Sequence, residues 1–271
     1  MLVGKCRGGI GNRLKNMMSV ARLDDDFKIF WTYKDWVLKN TESNFDDLFN
    51  MPERITTRRG HRGVWYRDWL LAETDEDRSL YHLPEKRPGH GGYIDFGFET
   101  IPKKIINDYL NAISKIKFNE KVLKRVEEFC AENISKDTLG VQIRSWPECK
   151  RGYFNGKFNS WPEKFCIKKF ENEMNKHNGK YFITSDQPKW IYYLKQKFDE
   201  RIIVFDFDAE NNSYIGKRNA MTTWLCDLLI LAQCNNMVLS VDSTFGEVAW
   251  WFGGACAKVN MIGTPQNIEK K

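Results

Sequence analysis

The sequence predicts an α/β protein built on doubly wound parallel sheet, and three observations carry that prediction. From residue 138 to 262, strand-like and helix-like stretches alternate, with the strand–helix unit repeated four times. The strand-like stretches are short apolar runs, as strands covered on both faces require. Hydrophobic residues make up 42% of the 271 and include ten tryptophans, enough for a sizeable core and too many for a disordered chain.

Taken in order, Met1–Cys6 reads as a strand leading into Gly8-Gly9-Ile10-Gly11-Asn12-Arg13. Leu14, Met17, Met18 and Ala21 then mark one face of a helix from Leu14 to Leu23. Lys28–Tyr33, apolar and aromatic, reads as a buried parallel strand. From residue 40 to 98 the periodicity dissolves into Pro, Gly, charge and aromatics, and so long an irregular stretch in a compact protein is more often functional than filler. Ile105, Ile106, Tyr109, Leu110 and Ile113 give Lys103–Ile116 an apolar helical face. Val122, Leu123, Val126 and Phe129 do the same for Glu120–Asn133. Further strands are expected over Thr138–Arg144, Lys180–Thr184, Arg201–Phe205, Met237–Ser240 and Lys258–Ile262. Between them lie helices over Pro162–Asn175, Pro188–Phe198, Asn219–Cys234 and Thr244–Phe252. The chain therefore divides into an N-terminal half, residues 1–135, carrying the irregular insertion at 40–98, and a C-terminal half, residues 136–271.

The 42 Lys and Arg exceed the 36 Asp and Glu by six, a balance that admits an anionic ligand without demanding nucleic acid. No apolar run approaches the ~18–20 residues of a membrane span, and the start lacks an apolar leader. Seven cysteines, an odd number with no CxxC pair, include Cys226 and Cys234 in apolar helical text, where a thiol packs as a small hydrophobe. They read as free thiols in a reducing compartment, so a cytoplasmic location is expected.

Doubly wound sheets bind ligands beyond the carboxyl ends of their strands, and four polar turns stand there. The glycines of Gly8–Arg13 let backbone N–H groups approach an anion at a helix N-terminus, although the run matches neither GxGxxG nor a P-loop and also reads as a plain tight turn. Arg144, in Gln142-Ile143-Arg144-Ser145-Trp146, can grip phosphate oxygens with its fork of donors, or form a structural ion pair. Asp186, in Thr184-Ser185-Asp186-Gln187-Pro188, can accept from a ribose or base, or cap the helix that follows. Ser240-Val241-Asp242-Ser243-Thr244-Phe245-Gly246 opens a helix and offers hydroxyls and N–H groups to a second anion site, or an ordinary N-cap. Four such turns together favour a diphosphate-containing ligand.

Other signals point elsewhere. Asp206-Phe207-Asp208 has the DxD spelling of metal-dependent sugar transferases, and also reads as a polar loop. Asp24-Asp25-Asp26 reads as a solvated turn. His61, His82, His90 and His177 have no metal-ligand spacing, and there is no GxSxG or catalytic cysteine signature. Arg58, Arg59, Arg62, Trp65 and Tyr66 give Arg54–Arg67 a nucleic-acid-like flavour, but without an accompanying motif a solvated acceptor-side loop is the better reading.

As an ordered set, these turns resemble the fucosyltransferase superfamily of NodZ-type α1,6-enzymes, α1,2-fucosyltransferases and protein O-fucosyltransferases. Gly8–Arg13 resembles its GGxGNx loop, and Val141-Gln142-Ile143-Arg144-Ser145 its H-x-R-R segment. Asp227–Cys234 followed by Ser240–Gly246 resembles its D-L-x-x-L-x-x-C…S-[ST]-F ending. The resemblance implies a GT-B-like fold of two Rossmann-type halves with the donor cleft between them. It implies inverting, metal-independent transfer from a nucleotide sugar, GDP-fucose favoured, to a glycan acceptor, with no cofactor besides the donor. Arg144 would contact the donor's β-phosphate. Gly9, Gly11, Asn12 and Arg13 would face the pyrophosphate or sugar, and Asp242, Ser243, Thr244 and Phe245 the diphosphate and nucleoside. Gln142 stands where the family usually has His and Ser145 where a second Arg is common, so a UDP-sugar or another GDP-sugar stays open. An inverting reaction also needs a carboxylate base, for which Glu148 comes first and Asp35 second. The rival readings are a non-catalytic module binding a phosphoglycan or nucleic acid, and a DxD enzyme using Asp206 and Asp208.

Overall fold

A computed structural model describes residues 2–6, 8–32, 44–57, 65–67, 101, 103–145, 167–208, 213–214, 220–241 and 243–263. Strand β1 (Val3–Cys6) leads into helix α1 (Ile10–Leu23), then β2 (Lys28–Trp31), the single-turn helix α2 (Phe45–Leu48) and β3 (Trp65–Arg67). Helices α3 (Lys103–Ser114) and α4 (Glu120–Asn133) precede β4 (Leu139–Ile143), α5 (Ile167–Asn175), β5 (Tyr181–Ser185) and α6 (Pro188–Phe198). The chain continues through β6 (Ile202–Ile203), the short pair β7 (Phe207–Asp208) and β8 (Ser213–Tyr214), α7 (Ala220–Leu231), β9 (Asn236–Ser240), α8 (Thr244–Phe252) and β10 (Lys258–Ile262).

Two parallel sheets result. One has the order β2-β1-β3 and the other β10-β9-β4-β5-β6. In the second, the chain runs outward from β4 through β5 to β6, then returns to the other side of β4 as β9 and β10. The strand order therefore reverses between β4 and β9, the switch point at which an open α/β sheet leaves a crevice. All five β4 residues are buried because both sheet faces are covered. Val141 and Ile143 pack with Phe170 of α5 and with Ile191 and Leu194 of α6. On the opposite face, Gly140 lies so close to Leu231 of α7 that a Cβ would stand 2.6 Å from its Cδ1. The cluster on that side joins Leu14 and Met17 of α1 to Tyr109, Leu225, Leu228 and Trp251, with Trp251 stacked on Tyr109 at 4.8 Å.

Three departures from the sequence expectations have local causes. Helix α1 begins at Ile10 rather than Leu14, so Gly11 lies inside its first turn, where N–H groups lack helical partners and glycine is tolerated. The strand expected over Arg201–Phe205 is limited to Ile202–Ile203, because Phe205 turns onto Phe129 (5.2 Å) and Asp206 adopts φ +45°. Trp65–Arg67, expected as part of a solvated loop, pairs with β1 as an edge strand through its backbone. The expected helix start at Pro162 lies outside the described residues; the helix is seen from Ile167. Among the described residues no helix is long and apolar enough to cross a membrane.

Candidate functional site

The turn after β1 is built to hold a helix N-terminus open. Gly8 takes φ +80°, which favours glycine, and a Cβ there would stand 2.9 Å from Asn12 Nδ2 and displace that amide. Gly9 is the α1 N-cap in an extended conformation, with no side-chain cap and nothing within 4 Å of where a Cβ would project. Arg13 points inward. Its Nε donates to Gly8 O (2.8 Å), its Nη1 to Cys6 O (3.0 Å) and its Nη2 to Thr32 O (3.1 Å), with the guanidinium 4.2 Å from the Trp31 ring centroid. Fully buried, Arg13 ties the turn to the ends of β1 and β2 instead of facing out of it.

Helix α8 meets α1 side by side. A Cβ on Gly11 would lie 2.8 Å from both N and Cα of Phe245, so the two first turns touch backbone to backbone. Thr244 Oγ1 donates to Asn12 Oδ1, and one turn further on Lys15 Nζ meets Glu247 Oε2 at 2.7 Å. Residues 11 and 12 match 244 and 245 in the first turns, and 15 matches 247 further along both helices, so the helices run parallel with both N-termini at one end. The α8 N-cap, Ser243, makes no side-chain capping bond either. Two N-termini without a side-chain capping bond from their N-cap residues, each carrying roughly half a positive charge, thus stand together at the carboxyl ends of their sheets.

Strand β4 delivers Arg144 to the same end. The Arg144 N–H donates to Ser240 Oγ (2.8 Å), which in turn donates to Gln142 O (3.3 Å), tying together the ends of β4 and β9 across the switch point. Gln142 is buried beneath α8, its Oε1 3.1 Å from where a Gly246 Cβ would sit and without a hydrogen-bond partner among the described residues. Asp186, leaving β5, accepts from Arg144 Nη1 through Oδ2 (2.9 Å) and from Ser145 N (2.9 Å) and Oγ (3.0 Å) through Oδ1. The α6 N-cap position is Gln187, whose N–H donates to Ser185 Oγ (3.1 Å). Phe245 packs half-buried against the core at the start of α8.

Gly9, Gly11, Asn12, Ser243, Thr244 and Phe245 are therefore neighbours, and Gln142, Arg144, Ser145 and Asp186 form an adjoining group linked through Gly246 and Ser240. Arg13 lies behind the turn. Glu148, Asp35 and Asp242 lie outside the described residues. Of the DxD residues, Asp206 is ion-paired with Arg125, while the Asp208 side chain lies outside the described set. No group of three His, Cys, Asp or Glu able to hold a metal occurs among the described residues. The five described cysteines are free. Burial pushes the Cys6, Cys226 and Cys234 thiols up to about 12 and Cys130 up to about 11, far from the range of a nucleophilic thiolate.

Asp227 is a residue that the sequence offered only as part of a motif. It is buried in α7, its Oδ2 3.5 Å from Thr184 Oγ1 and its Oδ1 without a partner among the described residues. Burial first, and the neighbouring Asp206 charge second, raise its carboxyl well above the usual 3.8, against a smaller opposing pull from Thr184. The folded state thus keeps this proton longer than the unfolded chain. Its stabilising contribution is complete below the unfolded pKa and declines as pH rises from there towards the raised folded value. Asp227→Asn is expected to flatten that decline, which urea melts between pH 5 and pH 8 would show directly.

No family model matches the sequence, and no curated protein matches it. Solved structures do share its fold. Fucosyltransferase NodZ from Bradyrhizobium superposes with a TM-score of 0.51 at 13% identity, over 92% of this chain and 90% of that one. NodZ α-1,6-fucosyltransferase soaked with GDP-fucose gives 0.50 at 12%, covering 93% and 92%. POFUT1 in complex with GDP-fucose gives 0.51 at 12%, covering 97% and 98%. The chain has the mixed α/β, parallel-sheet fold of these GT-B fucosyltransferases.

Proposed function

We propose that the protein is a glycosyltransferase that moves a sugar, fucose favoured, from a nucleoside-diphosphate donor to a glycan hydroxyl, with inversion and without a metal. The observation that carries this reading is the pair of parallel helix N-termini, α1 and α8, whose N-cap residues make no side-chain capping bond and which are in backbone contact at Gly11 and Phe245. Aligned dipoles side by side repel one another, and an anion at their shared positive end relieves that repulsion. The likeness in fold to structures holding GDP-fucose supports a nucleoside diphosphate as that anion.

In this reading the N–H groups of both first turns and the Arg144 guanidinium receive the pyrophosphate. Departure of the nucleoside diphosphate leaves negative charge on the β-phosphate and oxocarbenium character on the sugar. Fixed donors aimed at that charge stabilise it without reorganising. Asn12 and Thr244, locked to each other, hold the two halves in register around the phosphates. Glu148 is assigned the role of base for the acceptor hydroxyl, with Asp35 as second choice, both on sequence grounds.

Incubation with GDP-fucose, and separately with UDP-sugars, tests the reading. Slow release of GDP that persists in EDTA, accelerated by a glycan acceptor, is the expected result. Tight GDP binding with no release from any nucleotide sugar would establish the non-catalytic module instead. Release abolished by EDTA would overturn the metal-free mechanism.

A further inference from the structure

We infer that Asp186 is a positioning residue that fixes the aim of Arg144, through a clamp shared with Ser145 and Gln187. The inference rests on the reading of Arg144 as the diphosphate's guanidinium ligand. The clamp is built on parallel strands in register, with Ile143 at the end of β4 opposite Ser185 at the end of β5. The residues that follow each strand therefore emerge side by side. One Asp186 oxygen takes Arg144 Nη1 at 2.9 Å, and the other takes both the N–H and the hydroxyl of Ser145. Gln187 Nε2 then donates to Ser145 Oγ at 2.5 Å. The Asp186 side chain is 11% exposed whereas that of Arg144 is 33% exposed, so the carboxylate is the buried anchor and the guanidinium the part that still meets solvent.

A long arginine free to rotate loses side-chain entropy whenever it grips a ligand, and a fixed one has lost that entropy on folding. Holding Nη1 from behind leaves the remaining face of the planar fork in one orientation. Ser145 completes the device. Its N–H and hydroxyl lock the carboxylate that holds Arg144.

A split between binding and turnover separates this role from a structural one. Asp186→Asn keeps the shape but takes a negative charge away from an anion site. Turnover of the nucleotide sugar is expected to fall roughly 10²-fold, while GDP binds as well as before or more tightly. In an Arg144→Ala background, the same Asp186→Asn change is expected to add nothing further, because the residue it positions is gone. Should Asp186→Asn melt far below the wild type, Ser145→Ala supplies the second variant, with a smaller loss of turnover in the same direction. Additive losses in the double mutant, or wild-type turnover in both single variants, would overturn the inference while leaving the transferase reading intact. Absence of turnover in the wild type itself would remove that reading, and the inference with it.

Discussion

Glu247→Leu is expected to destabilise the fold by about 3–5 kcal/mol, the usual cost of stranding one member of a buried ion pair. Lys15 and Glu247 are 0% and 3% exposed and meet at 2.7 Å between α1 and α8. Without Glu247, the Lys15 ammonium loses the carboxylate that offsets its desolvation. Burial already lowers the Lys15 pKa despite the opposing attraction of that carboxylate. The pair itself is a different matter, since replacing both members with apolar groups of similar volume is often neutral or stabilising. Lys15→Met combined with Glu247→Leu is therefore expected to recover most of the loss. Chemical denaturation of the two singles and the double gives the coupling directly. Additive destabilisation would mean that the two residues do not act as a pair.

Arg144→Ala is expected to lower the rate of sugar transfer or donor hydrolysis by roughly 10²–10³-fold, equivalent to about 3–4 kcal/mol of transition-state stabilisation. Three features support that magnitude. The guanidinium is the one cationic side chain in the group formed by Gln142, Arg144, Ser145 and Asp186, its orientation is fixed by Asp186, and it leaves the sheet at the switch point. The fold is expected to survive, because the backbone bond from Arg144 N to Ser240 Oγ does not need the side chain. Steady-state turnover at saturating donor, beside an unchanged melting curve, checks both halves of the prediction. Near-wild-type turnover would remove Arg144 from the chemistry.

Much of the fold was legible where local chemistry speaks for itself. Pro188 at the first turn of α6 and Ser243 before α8 announce helix starts, and both helices occupy the expected residues. The short apolar strands of the second half were visible for the same reason, since burial on both faces leaves little freedom of composition. The start of α1 was not legible, because Gly11 reads as loop until the Phe245 backbone is seen pressing against it. That contact joins residues 234 positions apart, and no local pattern encodes it. The same holds for the buried pair of Lys15 and Glu247, which no local pattern marks, and for Arg13, whose donor fork points into the protein. Asp186 carried the right chemistry with the wrong partner. Its carboxylate looked outward to a ribose or helix end, and the register of β4 and β5 gave it Arg144 instead.

Calorimetric titration of GDP and GMP into the wild type and into Gly11→Val tests the two-helix anion site most directly. A valine at this position would drive its side chain into the Phe245 backbone and part the two N-termini. The wild type is expected to bind GDP at least about tenfold more tightly than GMP, a difference of about 1.4 kcal/mol, with that preference lost in a still-folded Gly11→Val. Equal affinity for the two nucleotides in the wild type, or a GDP preference untouched by the valine, would contradict it.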